Sequence, residues 1–204
     1  HGRFWRADQR LPPDVPSLER WPEVTAVIPA RDEAAVIGGA VESLLRQDYA
    51  GDLRVIVVDD ASSDGTADAA CNGATRANAA ERLAIVSAPP LPPGWSGKLW
   101  AVHNGVAAAP ADCRYVLLTD ADIVHAPDAL RRLVAKAESG ALDLVSLMVR
   151  LHCASFAERL LIPAFVFFFQ KLYPFHLAAD PASSVAAAAG GCVLLRCDRF
   201  ESLG

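Results

Sequence analysis

The chain predicts an α/β fold, a mostly parallel sheet covered by helices on both faces, from the way two kinds of apolar pattern alternate along it. Short runs of β-favouring apolar residues recur at 24–29, 53–58, 83–87 and 115–119, and continuous rather than alternating hydrophobicity marks strands buried on both faces. Between them lie stretches with apolar residues at helical spacing. A strand, one helix and another strand, repeated, implies right-handed crossovers and parallel pairing.

Residues 1–22, with Phe4, Trp5, Trp21 and several prolines, show neither periodicity and read as an N-terminal arm. It either packs along the domain or, through Arg3, Phe4, Trp5 and Arg6, meets the edge of a membrane. The domain proper is assigned to 23–204. Its first strand, 24–29, runs into the loop Ala30-Arg31-Asp32-Glu33. A helix over 34–47 follows, with Ile37, Val41, Leu44 and Leu45 on one face. Strand 53–58 ends in Asp59-Asp60, and the turn Ala61-Ser62-Ser63-Asp64-Gly65-Thr66 offers N-caps for the next helix, Asp64 among them. After strand 83–87 comes a proline-rich loop, 89–97, holding Trp95. The helix behind it, over 99–108, has Leu99, Val102 and Val106 on one side. Strand 115–119, a helix over 127–138 and a strand over 142–149 continue the alternation.

Residues 155–175 break it. Phe156, Leu160, Leu161, Ile162, Phe165 and Val166 through Phe169 make a segment apolar nearly all round, with Pro163 inside it. Two placements fit, a helix on a membrane surface ending in Lys171, Tyr173 and His176, or a buried core helix. Gly190-Gly191 opens a last strand, 192–196.

At 204 residues the chain can bury roughly 70% of its unfolded surface in one domain. It is 52% hydrophobic with a mean hydropathy of +0.23, yet has no unbroken apolar run of the ~18 residues a spanning helix needs. A net charge of −5 excludes nucleic acid as the main partner. The cysteines (Cys71, Cys113, Cys153, Cys192, Cys197) lack the short spacings of a zinc site and are expected as reduced thiols. The chain begins at His1 rather than Met and stops just after a helix-like start, so a C-terminally truncated piece of something longer is expected.

Acids cluster after three strands: Asp32 and Glu33, Asp59 and Asp60, Asp120 and Asp122. In an open α/β sheet ligands collect at the carboxyl ends of the strands. Asp120 and Asp122, one residue apart on extended chain, can face one hard cation, Mg²⁺ or Mn²⁺ carrying a diphosphate, with Ala121 leaving room between them. The plainer alternative is that one of them caps the helix near Pro127. No Gly-x-x-x-x-Gly-Lys-Ser/Thr loop and no Gly-x-Gly-x-x-Gly follows the first strand, which disfavours P-loop hydrolysis and dinucleotide binding.

Three ordered stretches, Val-Thr-Ala-Val-Ile-Pro-Ala-Arg-Asp-Glu (24 to 33), Val-Val-Asp-Asp-Ala-Ser-Ser-Asp-Gly-Thr (57 to 66) and Leu-Thr-Asp-Ala-Asp (118 to 122), resemble the successive signatures of family 2 glycosyltransferases with the GT-A fold. Trp-Ser-Gly-Lys-Leu-Trp-Ala-Val (95 to 102) and the arm Gly-Arg-Phe-Trp-Arg-Ala-Asp (2 to 8) look most like bacterial hopene-associated glycosyltransferases. The resemblance implies an inverting, metal-dependent transferase that moves a sugar from a nucleotide-sugar, of the UDP type, to a membrane lipid at the cytoplasmic face of the inner membrane. It implies that Pro29, Ala30, Arg31 and Glu33 line the nucleotide pocket, that Asp60 bonds the base, and that Lys98 reaches base or diphosphate. Asp120 would meet ribose or metal, Asp122 would be the principal metal ligand, and Gly190 and Gly191 would let backbone approach the sugar. Trp95 and Trp100 are expected to pack a core or lid, and His103 and His125, without a recognisable partner, to be structural. The family's general base, a carboxylate further along, has no counterpart after Gly191, since Asp198 and Glu201 come too early; it is expected beyond Gly204, leaving this piece able to bind donor but poor at turnover. Two other readings are a sugar nucleotidyltransferase, which normally opens with a glycine- and arginine-rich loop absent here, and a nucleotide-binding module without catalysis.

Overall fold

The computed structural model describes residues 9–13, 15–180 and 182–202. Six strands, β1 (Val24–Ala30), β2 (Leu53–Asp59), β3 (Leu83–Ser87), β4 (Tyr115–Thr119), β5 (Leu144–Ser146) and β6 (Cys192–Arg196), form one sheet in the order β3-β2-β1-β4-β6-β5. The first four are parallel. β6 enters antiparallel between β4 and β5, so the expected strand over 142–149 is a three-residue edge, separated from β4. With a neighbour on only one side, its ladder ends as soon as the chain turns away after Ser146.

Period-2 alternation sorts the strand residues between two faces. Ala26, Ile28, Val55, Val57 and Leu117 face the larger core, under α1 (Ile37–Leu45), α2 (Thr66–Arg76) and α4 (Ala129–Ser139); Val27, Ile56, Val58 and Val116 face the smaller, under α3 (Gly97–Ala107). The sheet is thus covered on both faces.

Two helices differ from the periodic pattern. α1 begins at Ile37, three residues late, because the backbone N–H groups of Asp32, Glu33 and Ala34 are held by Ser62 Oγ, Thr66 Oγ1 and Asp64 Oδ2 across the neighbouring loop. α3 does not bury Leu99, which is 62% exposed; Ala101 and Gly105 are the buried residues. Gly105 lies directly against Val27 and Val58, so small residues let the helix approach the sheet while longer apolar side chains flank the contact.

Residues 9–22 carry no helix or strand in their described part. Leu11, Leu18 and Trp21 pack on the larger core, and Arg132 donates to the carbonyls of Leu11 (2.6 Å) and Pro12 (3.0 Å). The aromatic-basic part of the arm, 2–8, lies outside the described residues. After β5, Ser155 and Glu158 form a capping box that starts α5 (Phe156–Leu172). The core-helix alternative fails for this segment, since Gln170 is its one buried residue. A one-turn α6 (Phe175–Ala178) precedes β6, and α7 (Cys197–Ser202) follows it. The pairing of β6 with β4 also brings two of the thiols together, Cys113 and Cys197, at 3.3 Å between sulfurs.

α1 and α2 touch through Gly38 and Gly73, where a Cβ on Gly73 would meet the Gly38 backbone, whereas a Cβ on Gly39 would meet nothing within 4 Å. Gly73→Ala should therefore cost about 1–3 kcal/mol, and Gly39→Ala should be neutral or stabilising by up to about 1 kcal/mol. Urea unfolding of the two variants checks this, and equal effects would contradict the close contact.

Candidate active site

Parallel pairing in register brings the carboxyl ends of β1, β2 and β4 to one edge, with Ala30 opposite Asp59 and the Asp60 N–H bonded to the Ala30 carbonyl. The loops leaving β1 and β2 are stitched together there. Asp32 Oδ1 accepts from the Ser63 N–H (2.8 Å) and hydroxyl (3.2 Å), and Asp64 Oδ2 accepts from the Ala34 N–H (2.9 Å). Asp32 (φ 53°) and Ala61 (φ 56°) both sit in the left-handed region, a strained conformation for residues with a Cβ that such bracing sustains. Asp64 is expected as a helix cap, and its Oδ1 accepts from the Thr66 N–H (3.0 Å), the first of α2, from one residue before the Gly65 N-cap position, while its Oδ2 ties the two loops. The Thr66 hydroxyl and the Ala34 N–H hold its carboxyl below the usual range.

A cleft of about 450 Å³ opens at this edge, lined by Pro29, Ala30, Arg31 and Glu33 after β1, Asp60 after β2, Lys98 on α3, and Asp120 and Asp122 after β4. All eight were predicted from the sequence, and the fold brings them together. Gly97, Ala101 and Ala121 also line it. A Cβ on Gly97 would lie 2.9 Å from Asp60 Oδ2, so Gly97 makes room for that carboxylate. Ala101 went unnoticed, although its position three residues after Lys98 puts it on the same side of a helix. Gly191 is adjacent: its carbonyl accepts from the Thr119 hydroxyl (3.1 Å) and the Asp120 N–H (3.4 Å). Gly190 is not among the lining residues, and a Cβ there would meet nothing within 4 Å.

Two cations meet two of the acids. Lys98 Nζ lies 2.6 Å from Asp120 Oδ1, and Arg31 lies 3.5 Å from Asp60. The Lys98 and Asp120 side chains are 58% and 33% exposed, and a pair that open to water is worth about 0–1 kcal/mol. A ligand that offers either partner a stronger bond can displace it. Asp120 and Asp122 are hard oxygen donors suited to Mg²⁺ or Mn²⁺. Among the described residues no group of three or more His, Cys, Asp or Glu could hold a metal, so a cation here would complete its shell from water and a bound phosphate, as Mg²⁺ commonly does.

Both histidines have partners. His125 Nε2 is 3.0 Å from Thr119 Oγ1. That hydroxyl already donates to Gly191, so the imidazole donates and is the Nε2–H tautomer. With the His125 N–H bonded to Ser43 Oγ, this chain of bonds ties the Asp120–Asp122 loop to β6 and α1. His103 stacks on Trp100 (5.3 Å, 15°) beside Trp95, and Trp100 Nε1 donates to the Pro89 carbonyl, so these aromatics clamp the proline-rich loop. Asp198 is excluded from the cleft by topology: β6 runs antiparallel, and its far end lies opposite Tyr115, at the other edge. There Arg196 holds both Asp198 oxygens.

Burial lowers the pKa of His125 from 6.5 to about 4, so the folded imidazole stays neutral while the unfolded one protonates. Between those values the unfolded chain binds more protons, and stability falls as pH drops from about 6.5 to about 4. His125→Gln should lose that component, about 2–3 kcal/mol across the window. Unfolding free energies of both proteins at pH 7 and 4.5 check it, and parallel pH dependence would contradict it.

Residues 25–204 match Glycosyl transferase family 2. An N-acetylglucosaminyltransferase of Mesorhizobium japonicum is 34% identical over 143 residues, covering 68% of this chain and 32% of its own. The succinoglycan biosynthesis protein ExoO of Rhizobium meliloti is 32% identical over 171 residues, covering 74% and 44%. This chain thus spans less than half the length of either relative. Among solved structures, the mannosyltransferase of Pyrobaculum calidifontis in complex with GDP-Man and Mn²⁺ superposes with a TM-score of 0.66 at 25% identity, over 91% of this chain and 48% of that one. Glucosyl-3-phosphoglycerate synthase of Mycobacterium tuberculosis superposes at 0.56 and 22% identity, covering 87% and 58%, a likeness of fold. With the family matched over nearly the whole domain and the strand-end cleft in place, the chain belongs to glycosyl transferase family 2 and has the GT-A fold.

Proposed function

We propose that this chain carries the donor site of an inverting, metal-dependent transferase that moves a sugar from a nucleotide-sugar of the UDP class to a lipid at a membrane surface, a hopanoid-type lipid by the resemblance at 95–102. The observation that carries the reading is the gathering of Asp60, Lys98, Asp120 and Asp122 in one cleft at the ends of parallel strands. Nucleotide-sugars are bound in the solved complexes of two structural neighbours, GDP-Man in one and UDP-GlcNAc in another.

Each role follows from the chemistry of the group. Asp60, made accessible by Gly97, takes N–H bonds from the base, with Arg31 3.5 Å from its Oδ2. Asp120 and Asp122 would hold Mg²⁺ or Mn²⁺, a cation that would supply positive charge against the diphosphate. Lys98, released from Asp120, turns its ammonium to the diphosphate, where negative charge grows as the glycosidic bond breaks. Glu33 and Ala30 close the nucleotide end of the cleft, and Gly191 sets the position of Asp120 through its carbonyl.

Calorimetric titration of UDP, GDP and ADP, with Mn²⁺ or with chelator, tests the reading. UDP should bind only with Mn²⁺, and Asp122→Asn should weaken it by at least about tenfold, or 1.4 kcal/mol. Binding of none of the three, or binding indifferent to metal and to Asp122→Asn, would overturn the donor site as assigned.

A further inference from the structure

The sequence excursion between β5 and β6 is the largest part of the domain that donor binding leaves unused. β5 is antiparallel to β6, which is antiparallel to β4, so the chain leaves the sheet after Ser146 at the cleft edge and returns to that same edge at Gly191. A Cβ on Gly191 would lie 3.6 Å from Asp120 Oδ2 and 3.7 Å from Val149 Cγ2, so the excursion is rooted beside the cleft.

Its main element, α5, is about 25 Å long at 1.5 Å per residue. One side, with Ile162, Val166, Phe169 and Gln170, is covered to varying degree. A neighbouring row, Leu161, Phe165, Phe168 and Leu172, is 55–64% exposed. Contiguous apolar surface of this kind marks an interaction site. Among the described residues no helix is long and apolar enough to cross a membrane, so this one could lie along a bilayer but not through it.

The charges around the row select its occupant. Arg150, Arg159 and Lys171 are exposed. Of the two acids in the segment, Glu158 accepts from the Ala154 and Ser155 N–H groups at the helix start, and Asp180 accepts from the Ala182 N–H beyond it. An exposed apolar row on a segment with three exposed cations and two locally engaged acids, in a chain of net charge −5, matches anionic headgroups above acyl chains.

We propose that the outer face of α5 docks in the interfacial layer of a bilayer containing anionic lipid and so holds the donor cleft at the membrane surface. Its meaning for catalysis rests on the lipid-acceptor reading, whereas the docking stands on the helix alone. The acceptor hydroxyl would then reach the cleft from the lipid side, past the segments that flank α5.

Sedimentation with vesicles of phosphatidylcholine, with and without phosphatidylglycerol, tests this on the whole 204-residue chain. Wild type should pellet with the mixed vesicles and less with phosphatidylcholine alone. Leu161→Glu/Phe168→Glu, at positions already open to water, should need at least about tenfold more lipid, with unchanged circular dichroism and unchanged UDP titration. Arg159→Gln/Lys171→Gln should lose the preference for phosphatidylglycerol. Equal pelleting of wild type and the double glutamate variant, pelleting of neither, or a lipid-free dimer abolished by the glutamates would overturn the proposal. If the pelleting pattern holds while no nucleotide binds, the donor reading fails and the docking survives.

Discussion

Crowding of like charge at the carboxyl edge of the sheet is the constraint on which the rest of the molecule depends. Parallel strands in register deliver Asp32, Glu33, Asp59, Asp60, Asp120 and Asp122 to one side of the domain. Two carboxylates about 4 Å apart repel by about 1 kcal/mol in water and about 4 kcal/mol at an effective dielectric of 20. The fold relieves this in different ways at different positions. Asp32 and Asp59 accept bonds from backbone N–H groups of the neighbouring turn, and Asp60 and Asp120 take Arg31 and Lys98 as counter-ions. Asp122 remains exposed. Asp32 and Asp59 thus build the loops, while Asp60 and Asp120 are held only by weak pairs. The second group is free to change partners, which is what a site for a cation and a diphosphate requires.

The bracing explains why the edge can be acidic and still ordered. Asp32, Ser62, Ser63, Asp64 and Thr66 join two loops 30 residues apart in sequence, and the His125–Thr119–Gly191 bonds join β4 to β6. Neither network touches the centre of the cleft. Their work is to hold Glu33, Asp60 and Asp120 in place against mutual repulsion.

Much of this was legible in the sequence because it depends on local pattern. Continuous apolar runs marked the parallel strands, and acids immediately after them marked the edge that holds the cleft, whereas Lys98, on α3, came from the family resemblance and not from a strand end. What was not legible depends on contacts distant in sequence. Nothing local says that β6 inserts between β4 and β5, since antiparallel return across 45 residues is decided by edge pairing. The α3 stripe was misassigned because hydrophobicity pointed to Leu99, while close approach to Val27 and Val58 requires Ala101 and Gly105. His125 was left without a partner because Thr119, though only six residues away, is turned toward it by the loop in between. Asp64 had the composition of a cap, and only the apposition of two loops shows that it bonds Ala34.

Anomalous scattering from crystals grown with UDP and Mn²⁺ would test the central claim most directly, that Asp120 and Asp122 hold a cation against a nucleotide diphosphate after Lys98 lets go. The expected map has one manganese peak at ligand distance from Asp122, shared with Asp120 and the diphosphate, with Lys98 Nζ moved from Asp120 to a phosphate oxygen. A peak elsewhere, or UDP bound in the cleft with the Lys98–Asp120 pair intact and no metal beside it, would contradict that account.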